Sequence, residues 1–114
     1  MVDQQNASVV KSLFVRLVAK DGKGDEVEAF LRDGLAAVLE EPDTTTWYAL
    51  RFGDHDFAIF DTFPDNAGRL AHLAGKVGRA LVLRTPELFE GMPQIEHGHV
   101  LAYKLPGDSG QVPE

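Results

Sequence analysis

His72 is the residue of this sequence best suited to chemistry, because an imidazole ionises at about pH 6.5 and can take up or release a proton near neutrality. It lies between Leu70 and Leu73 in a helical stretch, where the plain alternative is a structural hydrogen bond. His97 and His99, two residues apart, point the same way on a strand and with His55 or Asp61 would suggest a metal site. No third ligand stands at metal spacing, and the pair reads as the partly solvated start of the last strand. Trp47, Tyr48, Phe57, Phe60 and Phe63 form an aromatic set that can line a pocket for a planar ligand; core packing is the simpler reading for most of them. Phe63, at a strand-to-helix junction, is the best placed ligand contact. Arg16 and Arg51 are polar members of apolar strands, and a buried guanidinium needs a partner. Asp61 on the neighbouring strand is the candidate; the alternative is that one arginine holds a ligand's phenolate or carboxylate. With no cysteine, a disulfide framework and a thiol nucleophile are excluded. Glycine-rich phosphate loops and a nucleophile elbow are also missing from the sequence.

The elements that must position these residues are legible from periodicity. Ser12 to Ala19 is a β-branched and aromatic run ended by the turn formers Lys20 to Gly24. From Asp25, the residues Val27, Phe30, Leu31, Leu35, Val38 and Leu39 step by three or four until Pro42, which predicts an amphipathic helix. Thr45 to Phe52 and Phe57 to Phe63 are strands joined as a hairpin by Gly53 to Asp56. Pro64 opens a second helix, which breaks near Gly75; Pro86 interrupts a second apolar set, so two short helices are expected before a last strand from Ile95 to Leu105. The order β-α-β-β-α-β is the ferredoxin-like α+β plan, an antiparallel sheet with its helices on one face. The expected division is a flexible segment 1–11, a folded domain 12–105 and a flexible tail 106–114.

Two helices cover only one face of such a sheet, so the other should be polar if it meets water. Strand one instead splits into Leu13, Val15, Leu17 and Phe14, Arg16, Val18, and strand two into Trp47, Ala49, Arg51 and Tyr48, Leu50, Phe52. Both faces are largely apolar. Four strands of about five residues span roughly 320 Å², the size of a large exposed patch on a monomer, which predicts a homodimer closed through the open sheet face.

The 114 residues carry 18 acids against 11 bases, a net charge of −7, and the charge is uneven. Residues 21–65 hold 12 acids and 3 bases, net −9, whereas residues 66–86 hold 4 bases and no acid. The same element order belongs to the RNA-recognition motif, but there bases surround the sheet's aromatics, and here Asp54, Asp56 and Asp61 stand instead. Neither nucleic acid nor a membrane is an expected partner, and with no signal-like N-terminus a cytoplasmic protein is expected.

The stretch from Phe60 to Leu73, an aromatic-acid-x-aromatic strand end (Phe60, Asp61, Phe63) followed by a helix-borne His72-Leu73, resembles the antibiotic biosynthesis monooxygenase family of dimeric α+β barrels. The resemblance spans residues 12–104. It implies two sheets packed face to face, with a flat hydrophobic substrate bound between the sheet and helices of each protomer. It further implies oxidation of an aromatic or quinol by molecular oxygen with no cofactor and no metal. On this reading His72 is the catalytic base, taking a proton from a phenol or hydroquinone, and Phe63, Phe60, Trp47, Arg51 and Asp61 bind the substrate. Phe63 stands where the family usually has tryptophan, and strand one lacks the asparagine of haem-degrading relatives, so haem degradation is disfavoured. The barrel serves several chemistries, so a non-catalytic ligand-binding or structural dimer is the second reading.

Overall fold

The computed structural model describes residues 9–107. Its elements are β1 (Lys11–Val18), α1 (Gly24–Val38), β2 (Thr46–Arg51), β3 (Asp56–Phe63), α2 (Asn66–Leu73), α3 (Lys76–Leu88) and β4 (Gln94–His99). The four strands form one antiparallel sheet in the order β2-β3-β1-β4, the ferredoxin-like α+β arrangement with its second helix divided in two.

Side-chain alternation along the strands decides which residues meet the helices. Leu13, Val15 and Leu17 of β1 and Phe57, Ile59 and Phe63 of β3 point to the helix layer, where Val27, Leu31 and Val38 of α1 and Val77, Leu81 and Leu88 of α3 close over them as one core. Asp61 occupies the remaining β3 position on that face, so the strand that supplies the core also delivers a carboxylate into it. On the opposite face β1 carries Phe14, Arg16 and Val18, while Tyr48 of β2 pairs with Phe60 of β3 and Leu50 with Ala58. Tyr48, Leu50, Val18 and Phe52, just past β2, are exposed, as expected of a face that the chain's own helices leave uncovered.

Several boundaries differ from the sequence reading, each for a local reason. β1 starts at Lys11, paired with Phe63 and His99, and Val9 is buried, so residues 9–11 belong to the folded unit and not to a flexible segment. The rest of that segment, 1–8, and residues 108–114 of the tail lie outside the described residues. α2 starts at Asn66, not Pro64, because the Asp65 carboxylate accepts a hydrogen bond from the Gly68 amide at 2.8 Å and caps the helix. The break at Gly75 is where the periodicity places it. Pro86 breaks nothing: it lies in the last turn of α3, and the one amide hydrogen bond it forgoes would have gone to Val82, an exposed residue. β4 ends at His99 rather than Leu105; Val100 still donates to the Val10 carbonyl at 2.8 Å, and the chain then leaves the ladder to run beside Tyr48 and Phe60.

Candidate functional site

β3, α2 and the connection from α1 to β2 meet at His72. The imidazole is 7% exposed and lies between two carboxylates: Nδ1 donates to Glu41 Oε1 at 2.6 Å, and Nε2 is 2.8 Å from Asp61 Oδ2. Thr44 also holds Glu41, its hydroxyl donating to the same Oε1 at 2.7 Å and lying 3.4 Å from His72 Nδ1. The second Glu41 oxygen packs against Gly75, so the bend between α2 and α3 leaves the space that this carboxylate fills. The ring of Phe63 lies tilted against His72 with centroids 5.2 Å apart and forms its wall on the sheet side.

Asp61 is 0% exposed, and neither of its oxygens receives a well-aligned hydrogen bond among the described residues; the His72 contact is an ion pair set off the straight hydrogen-bond line. A carboxylate so placed favours its neutral form. Burial pushes the Asp61 carboxyl above its ordinary value, against the pull of the His72 imidazolium. Burial opposes the imidazolium of His72, but Asp61 and Glu41 outweigh it and hold its pKa above the usual value. Both shifts carry the pair's proton exchange to higher pH than that of the free side chains, the kind of perturbation that an acid–base centre uses.

Both residues border a cavity of about 120 Å³ between the sheet and α3. Its other walls are apolar: Leu13, Val15 and Ile59 from the sheet, Leu73 of α2, Val77, Leu81 and Val82 of α3, and Met92 and Ile95 toward solvent. The size is that of a single aromatic ring, by comparison with dry cavities of about 150 Å³ that accept benzene. A strap, residues 90–93, leads from α3 to β4 along the solvent side, with Met92 and Pro93 on the cavity wall. Its start is tied to the sheet by the Glu90 amide, which donates to the Val18 carbonyl at 2.8 Å, and Gly91 turns it with a φ of +82°. Met92 stands on the strap at 64% exposure.

The structure thus brings together His72, Asp61 and Phe63 of the residues singled out in the sequence, and it separates the others. Phe60 is on the open face, stacked on Tyr48 at 6.4 Å. Trp47 lies across the ladder from Asp61 but packs toward Gly34 of α1, outside the cavity wall, with its buried indole nitrogen unbonded among the described residues. Arg51 is at the other end of the sheet. There it binds Glu28 at 2.8 Å and Asp25 at 3.2 Å and covers the Phe57 ring, and these bonds hold its guanidinium above its ordinary pKa. The expected ion pair of Asp61 with Arg51 or Arg16 is replaced by the pair with His72. Alternation sends Arg16 to the opposite face, over Phe14, and the register sets Arg51 opposite Phe57, four residues along β3 from Asp61. His97 and His99 face the helix side of the exposed β4 edge, opposite Leu13 and Lys11. Glu41 and Thr44 escape sequence reasoning because nothing in a turn after a helix signals a contact 31 residues away.

No protein-family model matches the sequence, and no curated protein matches it. Among solved structures, the chain is similar to NE2512 of Nitrosomonas europaea, a protein of unknown function, at 42% identity and a TM-score of 0.85, covering 89% of this chain and 98% of that one. A candidate antibiotic biosynthesis monooxygenase from the same organism superposes with a TM-score of 0.72 at 12% identity, covering 80% of this chain and 98% of that one. Another from Caulobacter crescentus gives 0.70 at 16%, covering 82% and 92%.

Proposed function

Because the chain belongs to one family with NE2512 of Nitrosomonas europaea and has the fold of the antibiotic biosynthesis monooxygenases, we propose that it oxidises a small hydroquinone-type aromatic with molecular oxygen. The observation that carries this reading is a buried carboxylate without a well-aligned donor, set beside an imidazole at the wall of a ring-sized apolar cavity. Apolar walls select a flat hydrophobic ring, and the pair selects a ring that carries an acidic hydroxyl. Removal of the hydroxyl proton leaves an electron-rich phenolate able to give electrons to oxygen. In the balanced reaction a hydroquinone and one O₂ give a hydroxyquinone and one water: a ring C–H bond is replaced by C–O, and the ring supplies all four electrons. His72 is part of the proton-handling pair, and Phe63 holds the imidazole against the sheet.

The working unit in this reading is a homodimer. Val18, Tyr48, Leu50 and Phe52 lie exposed on or beside the open face, an apolar surface that a second copy would remove from water. Oxygen uptake with para-benzohydroquinone, corrected for autoxidation, and mass analysis for the hydroxyquinone test the activity. His72→Ala should lower the uptake rate on the order of 100-fold or more while leaving the oligomeric state unchanged. Uptake no greater than autoxidation across a panel of hydroquinones and phenols would sink the oxygenase reading and leave a ligand-binding protein.

A further inference from the structure

Both nitrogens of His72 stand against carboxylates. Nδ1 is engaged by Glu41 at 2.6 Å and Nε2 lies against Asp61 Oδ2 at 2.8 Å, and an imidazole has only these two polar atoms. Asp61 is the opposite case. Its carboxylate is 0% exposed, its Oδ1 has no donor among the described residues, and the residue lines the cavity. A buried carboxylate oxygen without a donor is costly unless something else completes it, and a ligand hydroxyl in the cavity would do so.

We propose that Asp61 Oδ1 is the atom that accepts the ligand's hydroxyl proton, and that His72, held by Glu41, is a positioning residue that keeps this buried carboxylate ionised until the ligand arrives. The assignment rests on the hydroquinone reading for its substrate class but requires only a phenolic hydroxyl. In the step, the ligand O–H bond breaks and its electron pair stays on the ligand oxygen as a phenolate. A new O–H bond forms on Asp61 Oδ1. Before transfer the cluster is two carboxylates around one imidazolium; after it, a neutral carboxylic acid faces the phenolate and the imidazolium stays on Glu41.

The surroundings leave few other groups able to set the charge of Asp61. The flanking strands present Leu13 and Trp47 to it, and α3 presents Val77 and Leu81 to the cavity, all uncharged. His72 of α2 is the cation that faces it, with Glu41 behind; His97 of β4 is one strand further, beyond Leu13. Loss of the imidazolium should therefore make Asp61 harder to ionise and move any activity that depends on its carboxylate to higher pH.

The test is to titrate the full chain with para-nitrophenol on the acid side of the probe's own pKa and to read the visible phenolate band of the bound probe. Wild-type protein should raise this band on binding. Asp61→Asn, which keeps the size and removes the acceptor, should lower it by about tenfold or more, the equivalent of at least one pKa unit. His72→Gln and Glu41→Gln retain the acceptor, so the bound phenolate should return in both, but only at higher pH. Glu41 stands at the partly exposed rim of the cluster, so its variant keeps the assignment testable if Asp61→Asn does not fold. A wild-type protein that binds the probe as neutral phenol or not at all, or an Asp61→Asn variant that keeps the full band, overturns the assignment. The oxygenase reading fails separately: a phenolate band without oxygen uptake leaves the proton step standing, whereas undiminished uptake in Asp61→Asn removes the step and leaves the oxygenase.

Discussion

At the scale of single residues, the site is a proton-binding centre held inside the fold, and its pH dependence follows. His72 has a folded-state pKa above its ordinary 6.5, so the folded protein binds this proton more tightly than the unfolded chain does. The resulting stability is complete below about pH 6.5 and is lost as pH rises through the raised folded value. Asp61, whose folded pKa is also raised, acts with the same sign in a lower window that opens at its ordinary 3.8. Tm measured from pH 6 upward should therefore fall as pH rises through the His72 window, and His72→Gln should flatten that decline. A Tm that climbs steadily through neutrality would contradict the imidazolium assignment.

At the scale of elements, the bend between α2 and α3 decides whether the site exists. α2 carries His72, α3 carries the cavity wall, and Gly75 and Gly78 allow the two to meet at an angle that admits Glu41. A Cβ at Gly78 would overlap the Leu73 carbonyl, so Gly78→Ala should destabilise the protein by about 1–3 kcal/mol, as overpacking does, measured by urea unfolding. This bend was legible in the sequence because glycines interrupt a helical period. The strands were legible because Leu13, Val15 and Leu17 repeat every second residue, and His72, Asp61 and Phe63 stood out together because the strand end and the helix-borne His-Leu resemble the monooxygenase family's pattern. Glu41 was not legible, nor was the exchange of Arg51 for His72 as the partner of Asp61. Each depends on which turn folds over which helix, and on strand register, and local pattern constrains neither. Leu35 and Leu39 show the same limit: both fit the helical period yet stand exposed, Leu35 in α1 and Leu39 just past its end.

At the scale of the whole molecule, the helix layer and the open face divide the work. The bases Arg69, Lys76, Arg79 and Arg84 all belong to α2 and α3, away from the open sheet face, and among the described residues no helix is long and apolar enough to cross a membrane. The open face keeps Tyr48 at 51% and Leu50 at 38% exposure next to Phe60. A charge placed there would be harmless in a monomer and disruptive in a dimer. Leu50→Glu should convert a dimeric wild type into monomers by light scattering without abolishing cooperative unfolding, and a wild type that is monomeric at micromolar concentration would refute the dimer. The strap over the cavity has a different consequence. Its ends are tied to α3 and β4, and Met92, at its tip, contributes to the cavity wall while standing largely in solvent, so this position can change size at little expense to the core. A chain built this way can acquire a new ligand by editing its doorway and leaving its machinery intact. Met92→Ala should shift the preference from para-benzohydroquinone toward the two-ring naphthohydroquinone, read as the ratio of their kcat/KM values, with Tm nearly unmoved.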